Sequence, residues 1–235
     1  MNYFYSIFIL VIASIIIYPC TLFADKIQVI CKDSETCTLK YPDGRIYVGG
    51  WKNGLRTGKG KLTYPDGKTV EGDYVNDKLN GHGKATYPSG DIYEGEFKDN
   101  QSHGMGTLKL KDGSTYTGEW KNSKFDGQGT FTYPSGKKYE GDFKNGKLDG
   151  QGVLTYETGT RYEGEFSNDL PNGKGVYYYK DGSSIEALWK DGRVIKELNA
   201  LISESSKKQQ APFPADKIIG KSINEVLDNT DTKQK

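Results

Sequence analysis

The glycines of this chain recur every 23 residues. Gly49, Gly72, Gly95, Gly118, Gly141 and Gly164 share one phase of that period. Gly44, Gly67, Gly90, Gly113, Gly136, Gly159 and Gly182 share a second. A third holds the Gly-x-Gly pairs Gly58/Gly60, Gly81/Gly83, Gly104/Gly106, Gly127/Gly129, Gly150/Gly152 and Gly173/Gly175. All three columns run without an insertion or deletion. Such self-similarity specifies a linear array of one small unit. An array of that kind presents a long surface rather than one enclosed site.

The unit is legible in residues 87–110, YPSGDIYEGEFKDNQSHGMGTLKL. Tyr93, Gly95 and Phe97 alternate with Glu94 and Glu96, a period of two that predicts a strand with an aromatic face and an acidic face. Asp99-Asn100 follows, and the same slot holds Asn53-Gly54, Asn76-Asp77, Asn122-Ser123, Asn145-Gly146, Asn168-Asp169 and Asp191-Gly192. Asx and Gly tolerate left-handed dihedrals, so these are turns. The return strand is clearest in Gly127 to Tyr133, with Gly127, Gly129, Phe131 and Tyr133 on one face. A Tyr-Pro-x-Gly turn, as in Tyr64-Pro65-Asp66-Gly67, then opens the next hairpin. Pro second and Gly fourth suit a type I turn. Glycine weakens a strand. On the aromatic face its missing side chain leaves room for a neighbouring ring, so the rings form a ladder along the sheet. The predicted fold class is all-β: an elongated, single-layer, twisted antiparallel sheet of stacked hairpins. At about 10 Å per hairpin, roughly seven repeats reach about 65–70 Å.

Composition narrows the function. Only 34% of residues are hydrophobic, yet 12% are aromatic, and most of these keep phase with the glycines. The core is therefore thin and aromatic rather than absent. Lys and Arg number 32 against 31 Asp and Glu, and residues 41–192 carry 21 basic and 22 acidic residues. No basic field exists to hold a phosphate backbone, so nucleic acid is not an expected partner.

The motif Tyr-Glu-Gly-Glu-Phe, followed by Asx, Gly-x-Gly and Tyr-Pro-x-Gly, resembles the MORN repeat (membrane occupation and recognition nexus). It stands in Tyr93–Phe97, Tyr116–Trp120, Tyr139–Phe143 and Tyr162–Phe166, and more loosely in Tyr47–Trp51 and Val70–Tyr74. At Ile185–Trp189 the glycine becomes Ala187, as suits a terminal repeat. The resemblance implies a scaffold for proteins or a binder of lipid surfaces, with any catalysis housed in a separate domain.

The termini set the organisation. Residues 3–23 are the long apolar run, densest from Ile7 to Ile17. Residues 1–24 read as a signal peptide cut after Ala24, or alternatively as an uncleaved membrane anchor. Either places the protein outside the cytoplasm, periplasmic or secreted, or held on a membrane. Cleavage would leave Cys31 and Cys37, a candidate disulfide in an oxidising compartment. Residues 25–40 form a capping half repeat, since Cys37–Tyr41 keeps the phase of Gly60–Tyr64. Residues 41–192 are the array. Residues 193–235 hold a capping helix and tail. Val194, Ile195, Leu198, Leu201 and Ile202 have helical spacing, and Ser222-x-x-Glu225 is a capping box before a second short helix.

No residue set points to catalysis, a metal or a cofactor. His82 and His103 fall in different phases and read as exposed turn residues. The acidic column Asp73, Glu94, Glu96, Glu119, Glu140, Asp142, Glu163 and Glu165 recurs too uniformly to supply two carboxylates in different environments, and reads as a solvated face. Lys52, Lys98, Lys121, Lys144 and Lys190 recur beside it as surface pairs. The aromatic stripe Tyr93, Phe97, Trp120, Tyr139, Phe143 and Phe166 is the candidate groove, open to two readings: the core of a thin sheet, or a surface that takes a peptide, helix or lipid headgroup. The expected function is a non-catalytic, exported scaffold for protein partners. Phospholipid binding is the alternative, and homodimerisation a further expectation.

Overall fold

The computed structural model describes residues 26–33 and 36–201. The apolar segment 3–23, the cleavage point at Ala24 and the capping box at Ser222 lie outside the described residues.

Every described strand joins one antiparallel sheet in the order in which it is made. Its strands are β1 (Gln28–Cys31), β2 (Thr36–Lys40), β3 (Ile46–Lys52), β4 (Leu55–Thr63), β5 (Thr69–Val75), β6 (Lys78–Thr86), β7 (Ile92–Lys98) and β8 (Gln101–Lys109). They continue with β9 (Thr115–Lys121), β10 (Lys124–Thr132), β11 (Lys138–Lys144), β12 (Lys147–Thr155), β13 (Arg161–Ser167), β14 (Leu170–Tyr178), β15 (Ser184–Lys190) and β16 (Arg193–Leu201). β1 does not pair with β16, so the sheet is open at both ends.

Each strand packs chiefly on its neighbours in sequence. The alternation read from sequence appears as alternating burial, clearest in β9, where Tyr116, Gly118 and Trp120 are buried between exposed neighbours. One face therefore carries the core, made of long rings lying over one another rather than of a second layer.

Both predicted turns are present. The Tyr-Pro-x-Gly turns close with a hydrogen bond from the fourth residue to the first, as in Gly67 N to Tyr64 O at 3.0 Å. The Asx turns put consecutive residues at positive φ, such as Asp99 at 50° and Asn100 at 69°. These hairpin tips also bind the preceding hairpin: Asn100 N donates to Leu79 O at 3.0 Å, and Leu79 N to Asn100 Oδ1 at 2.9 Å. The half repeat is part of the sheet, with Cys31 opposite Cys37 and the two sulfurs bonded.

The C-terminal prediction needs correction. Residues 193–201 are not a helix but the strand β16, paired along β15. A helix laid beside β15 would leave that strand's outer N–H and C=O groups without ladder partners, and a strand supplies them. The spacing that read as helical fits a ladder because two register shifts, at Glu186/Ala187 and Leu188/Trp189, absorb the mismatch. Val194 and Ile195 are β-branched and suit the pleat. Arg193, Lys196 and Glu197 charge the resulting edge, which discourages indiscriminate strand addition.

Candidate interaction surface

The inner face is built from a device that repeats in each regular unit. In β7 and β8 the register shifts between Gly95 and Phe97, leaving Glu96 in a bulge. Its carbonyl accepts the Tyr93 hydroxyl at 2.8 Å, and its carboxylate accepts Met105 N–H at 3.2 Å. Glu119, Asp142 and Glu165 do the same, accepting Tyr116, Tyr139 and Tyr162 on their carbonyls and the N–H of Gln128, Gln151 and Lys174 on their carboxylates. Half of the acidic column thus satisfies backbone donors that the bulge frees from the ladder, which its solvated-face reading missed. Of the remaining carboxylates, Asp73 and Glu94 pair with Lys59 and Lys84 on return strands, and Glu140 and Glu163 with Lys138 and Arg161 on their own strands, rather than with the Lys52 column.

The second glycine of each pair makes room for the tyrosine, except in Gly81/Gly83, where Gly83 faces the Phe97 ring. A Cβ on Gly106 would stand 2.4 Å from the Tyr93 hydroxyl oxygen, and one on Gly129 would stand 2.6 Å from the Tyr116 ring. The first glycine has another task. Gly127 sits at φ 108° beside the Glu119 carboxylate, a conformation that side chains rarely adopt.

Tyr93, Phe97, Trp120, Tyr139, Phe143 and Phe166 are all buried, none more than 7% exposed. They touch edge to face, Tyr93 on Trp120 at 4.9 Å and Tyr139 on Phe143 and Phe166 at 5.1 Å each, and Tyr116 joins the two groups through Trp120 at 5.4 Å and Phe143 at 5.1 Å. Burial holds the hydroxyls of Tyr93, Tyr116, Tyr139 and Tyr162 far above the usual tyrosine range. At Tyr47 burial outweighs the nearby Arg56 guanidinium and pushes the value up to about 12.

The half-buried rings are others. Tyr41, Tyr64, Tyr87, Tyr133, Tyr156 and Tyr179 are half-buried and pack on this core. Cations lie over several of them. Arg45 is 4.8 Å from the Tyr41 centroid, Lys68 lies 5.3 and 5.1 Å from Tyr64 and Tyr87, and Lys137 lies 5.1 and 5.5 Å from Tyr133 and Tyr156. The Tyr133 hydroxyl is buried without a partner. In sequence this column announced only a turn. Its periodicity, with Arg or Lys four residues later in three repeats, was the available signal for a stripe of rings and cations.

The outer face is polar. A shallow hollow of about 740 Å³ there involves Lys59, Lys61 and Lys84, paired with Asp73, Glu71 and Glu94. His82 lies exposed in β6 and His103 half-buried in β8, in strands rather than in turns. Among the described residues no group of His, Cys, Asp or Glu is arranged to hold a metal ion, and no helix is long and apolar enough to cross a membrane.

The MORN repeat family model matches residues 47–69, 71–92, 93–115, 116–138, 139–161 and 162–184. The chain therefore belongs to the MORN-repeat family. No curated protein matches it. Among solved structures it is similar to the SAS-4 (dCPAP) TCP domain of Drosophila melanogaster, in complex with a proline-rich motif of Ana2 (dSTIL), at 14% identity and a TM-score of 0.39, covering 69% of this chain and 83% of that one. It is also similar to the TCP10 domain of Danio rerio CPAP, in complex with a peptide of Danio rerio STIL, at 19% identity and a TM-score of 0.35, covering 70% and 79%.

Proposed function

We propose that this protein is a non-catalytic scaffold that acts outside the cytoplasm and holds an extended protein segment along its inner face. One observation carries this reading. Among the described residues no second layer is packed on the sheet, and the half-buried tyrosines from Tyr41 to Tyr179 form a row of rings over the core, with Arg45, Lys68 and Lys137 beside them. Aromatic rings with cations over them suit a polar polypeptide, which offers side chains for the rings and carboxylates for the cations. Export is supported by the apolar run around Ile7 to Ile17 and by the bonded pair Cys31–Cys37.

Photo-reactive amino acids placed at Tyr87 and Tyr156 in the native cell test the scaffold. Discrete protein adducts from both positions are expected. Adducts to lipid alone would replace this reading with the lipid-binding one, and no adducts from either position would remove it. Sequencing the mature N-terminus tests export: an Asp25 start agrees with it, and a cytoplasmic chain beginning at Met1 refutes it.

A further inference from the structure

Three aliphatic side chains break the polarity of the outer face at its N-terminal end. Val48 in β3 stands where later units carry Glu71, Glu94, Thr117, Glu140, Glu163 and Glu186. Ile46, on the same strand, stands where every later unit except the one at Ile92 is polar. Across the ladder, Ile30 of β1 faces Thr38 of β2, Thr38 faces Val48, and Lys40 faces Ile46. Ile30 is 56% exposed, Ile46 40% and Val48 46%. Leu39 and Tyr47, the alternate residues of these strands, are fully buried on the other face, so the core does not use the three aliphatics. Grouped apolar side chains left in water mark a contact surface.

The group opens into the shallow hollow of the same face. Val48 lines that hollow together with Gly49, Gly60, Gly72 and Gly83, and it reaches Glu94. From β3 to β7 it crosses four strand spacings, roughly 19 Å, the length of about six extended residues. Its surroundings are cationic. The outer face of β1 to β6 holds Lys40, Lys52, Lys59, Lys61, Lys78 and Lys84 against Glu71 and Asp73. Lys61 and Lys59 already occupy those two carboxylates, at 3.5 and 2.7 Å. Lys40, exposed opposite Ile46, makes no ion pair among the described residues.

We infer that the outer face of the first unit docks an extended acidic polypeptide, with aliphatic side chains set on Ile30, Ile46 and Val48 and a carboxylate at Lys40. This site lies on the face opposite the row of tyrosines and stands independently of the scaffold reading above. The cationic excess selects the occupant. A second copy laid on this face would set lysines against lysines. The chain's own residues 202–235 follow β16 at the other end of the sheet and carry no acidic excess. A flat bilayer would touch the aliphatics without entering the hollow, whereas an extended chain reaches both.

The test titrates the protein with an acetylated six-residue peptide of alternating Leu and Glu, and with its Leu and Lys counterpart as control, following amide chemical shifts. Shifts centred on β2 and β3 with the acidic peptide, and at least about tenfold weaker binding of the basic one, are expected. Ile46→Thr with Val48→Glu writes the second unit's residues into the first. Both positions are exposed, so the melting temperature should hold while the acidic peptide binds about tenfold more weakly or worse. Lys40→Glu should reverse the preference between peptides. No binding of the acidic peptide, shifts confined to other strands, equal affinity for both peptides, or indifference to both variants overturns the inference. So do shifts at β2 and β3 with vesicles of phosphatidylserine and phosphatidylcholine but none with the peptide, which would give the patch to a lipid surface. The cross-links at Tyr87 and Tyr156 report the inner face, so their persistence in any of these cases keeps the scaffold reading.

Discussion

At the scale of single residues, the fold rests on close fits whose partners can be named. The space above Gly129 belongs to the Tyr116 ring, so Gly129→Ala overpacks it and should cost about 1–3 kcal/mol in urea denaturation. Tyr116→Leu in the same chain should recover part of that loss, a coupling of at least ~0.5 kcal/mol. A second fit runs against the repeat pattern. Lys111 stands where Pro65, Pro88 and Pro134 stand in other turns, and its N–H donates to buried Asp91 at 2.8 Å. Proline has no N–H, so Lys111→Pro, although it restores the pattern, strips a partner from a buried carboxylate. A loss of about 1–3 kcal/mol is expected, read as a lower denaturation midpoint. The tyrosines set the alkaline limit. Burial raises their folded values above the free value near 10, to about 12 at Tyr47, so their contribution is complete below pH 10 and disappears as pH climbs toward the folded values. Ultraviolet titration should show these hydroxyls ionising together with unfolding, not ahead of it.

Elements show what sequence could and could not disclose. Hairpins were legible because three constraints agreed: alternation fixed the faces, Asx pairs fixed one turn, and Tyr-Pro-x-Gly fixed the other. The bulges were not, because a carboxylate bound to Met105 N–H and one in water look alike in a string of letters. Alternation put the six stripe residues on one face, and their burial there was invisible: whether a ring on a one-layer sheet is covered depends on its neighbours folding over it. β16 misled for another reason. A short segment's period is weak evidence, and the open edge of β15 decided its conformation. β1 is the element most detachable from the sheet, exposed along its whole length and tied by Cys31–Cys37. Reduction should speed hydrogen exchange at Gln28–Cys31 and leave exchange in β7 to β12 unchanged, since each strand leans on its neighbours alone. Faster exchange throughout the array would contradict this.

For the whole molecule, nearest-neighbour packing makes stability close to a sum over units and their junctions. Excising residues 116–138 joins Thr115 to Tyr139 in unbroken phase, within the matched boundaries of one repeat. The shortened chain should fold with two fewer strands, and X-ray scattering should find it about 10 Å shorter. Its unfolding midpoint should fall modestly. Removing a segment within the array whose length is not a multiple of 23 should abolish cooperative unfolding, because every ring downstream would lose its vacancy.

The unit contains an outbound and a homeward strand, so the chain leaves each repeat heading the way it entered. Copies can be gained or lost by unequal recombination without turning the core face outward or moving the exit to the other flank. The distance between whatever is fastened at the two ends can therefore change only in whole hairpin steps, which makes the array a gauge whose graduations are inherited rather than adjusted.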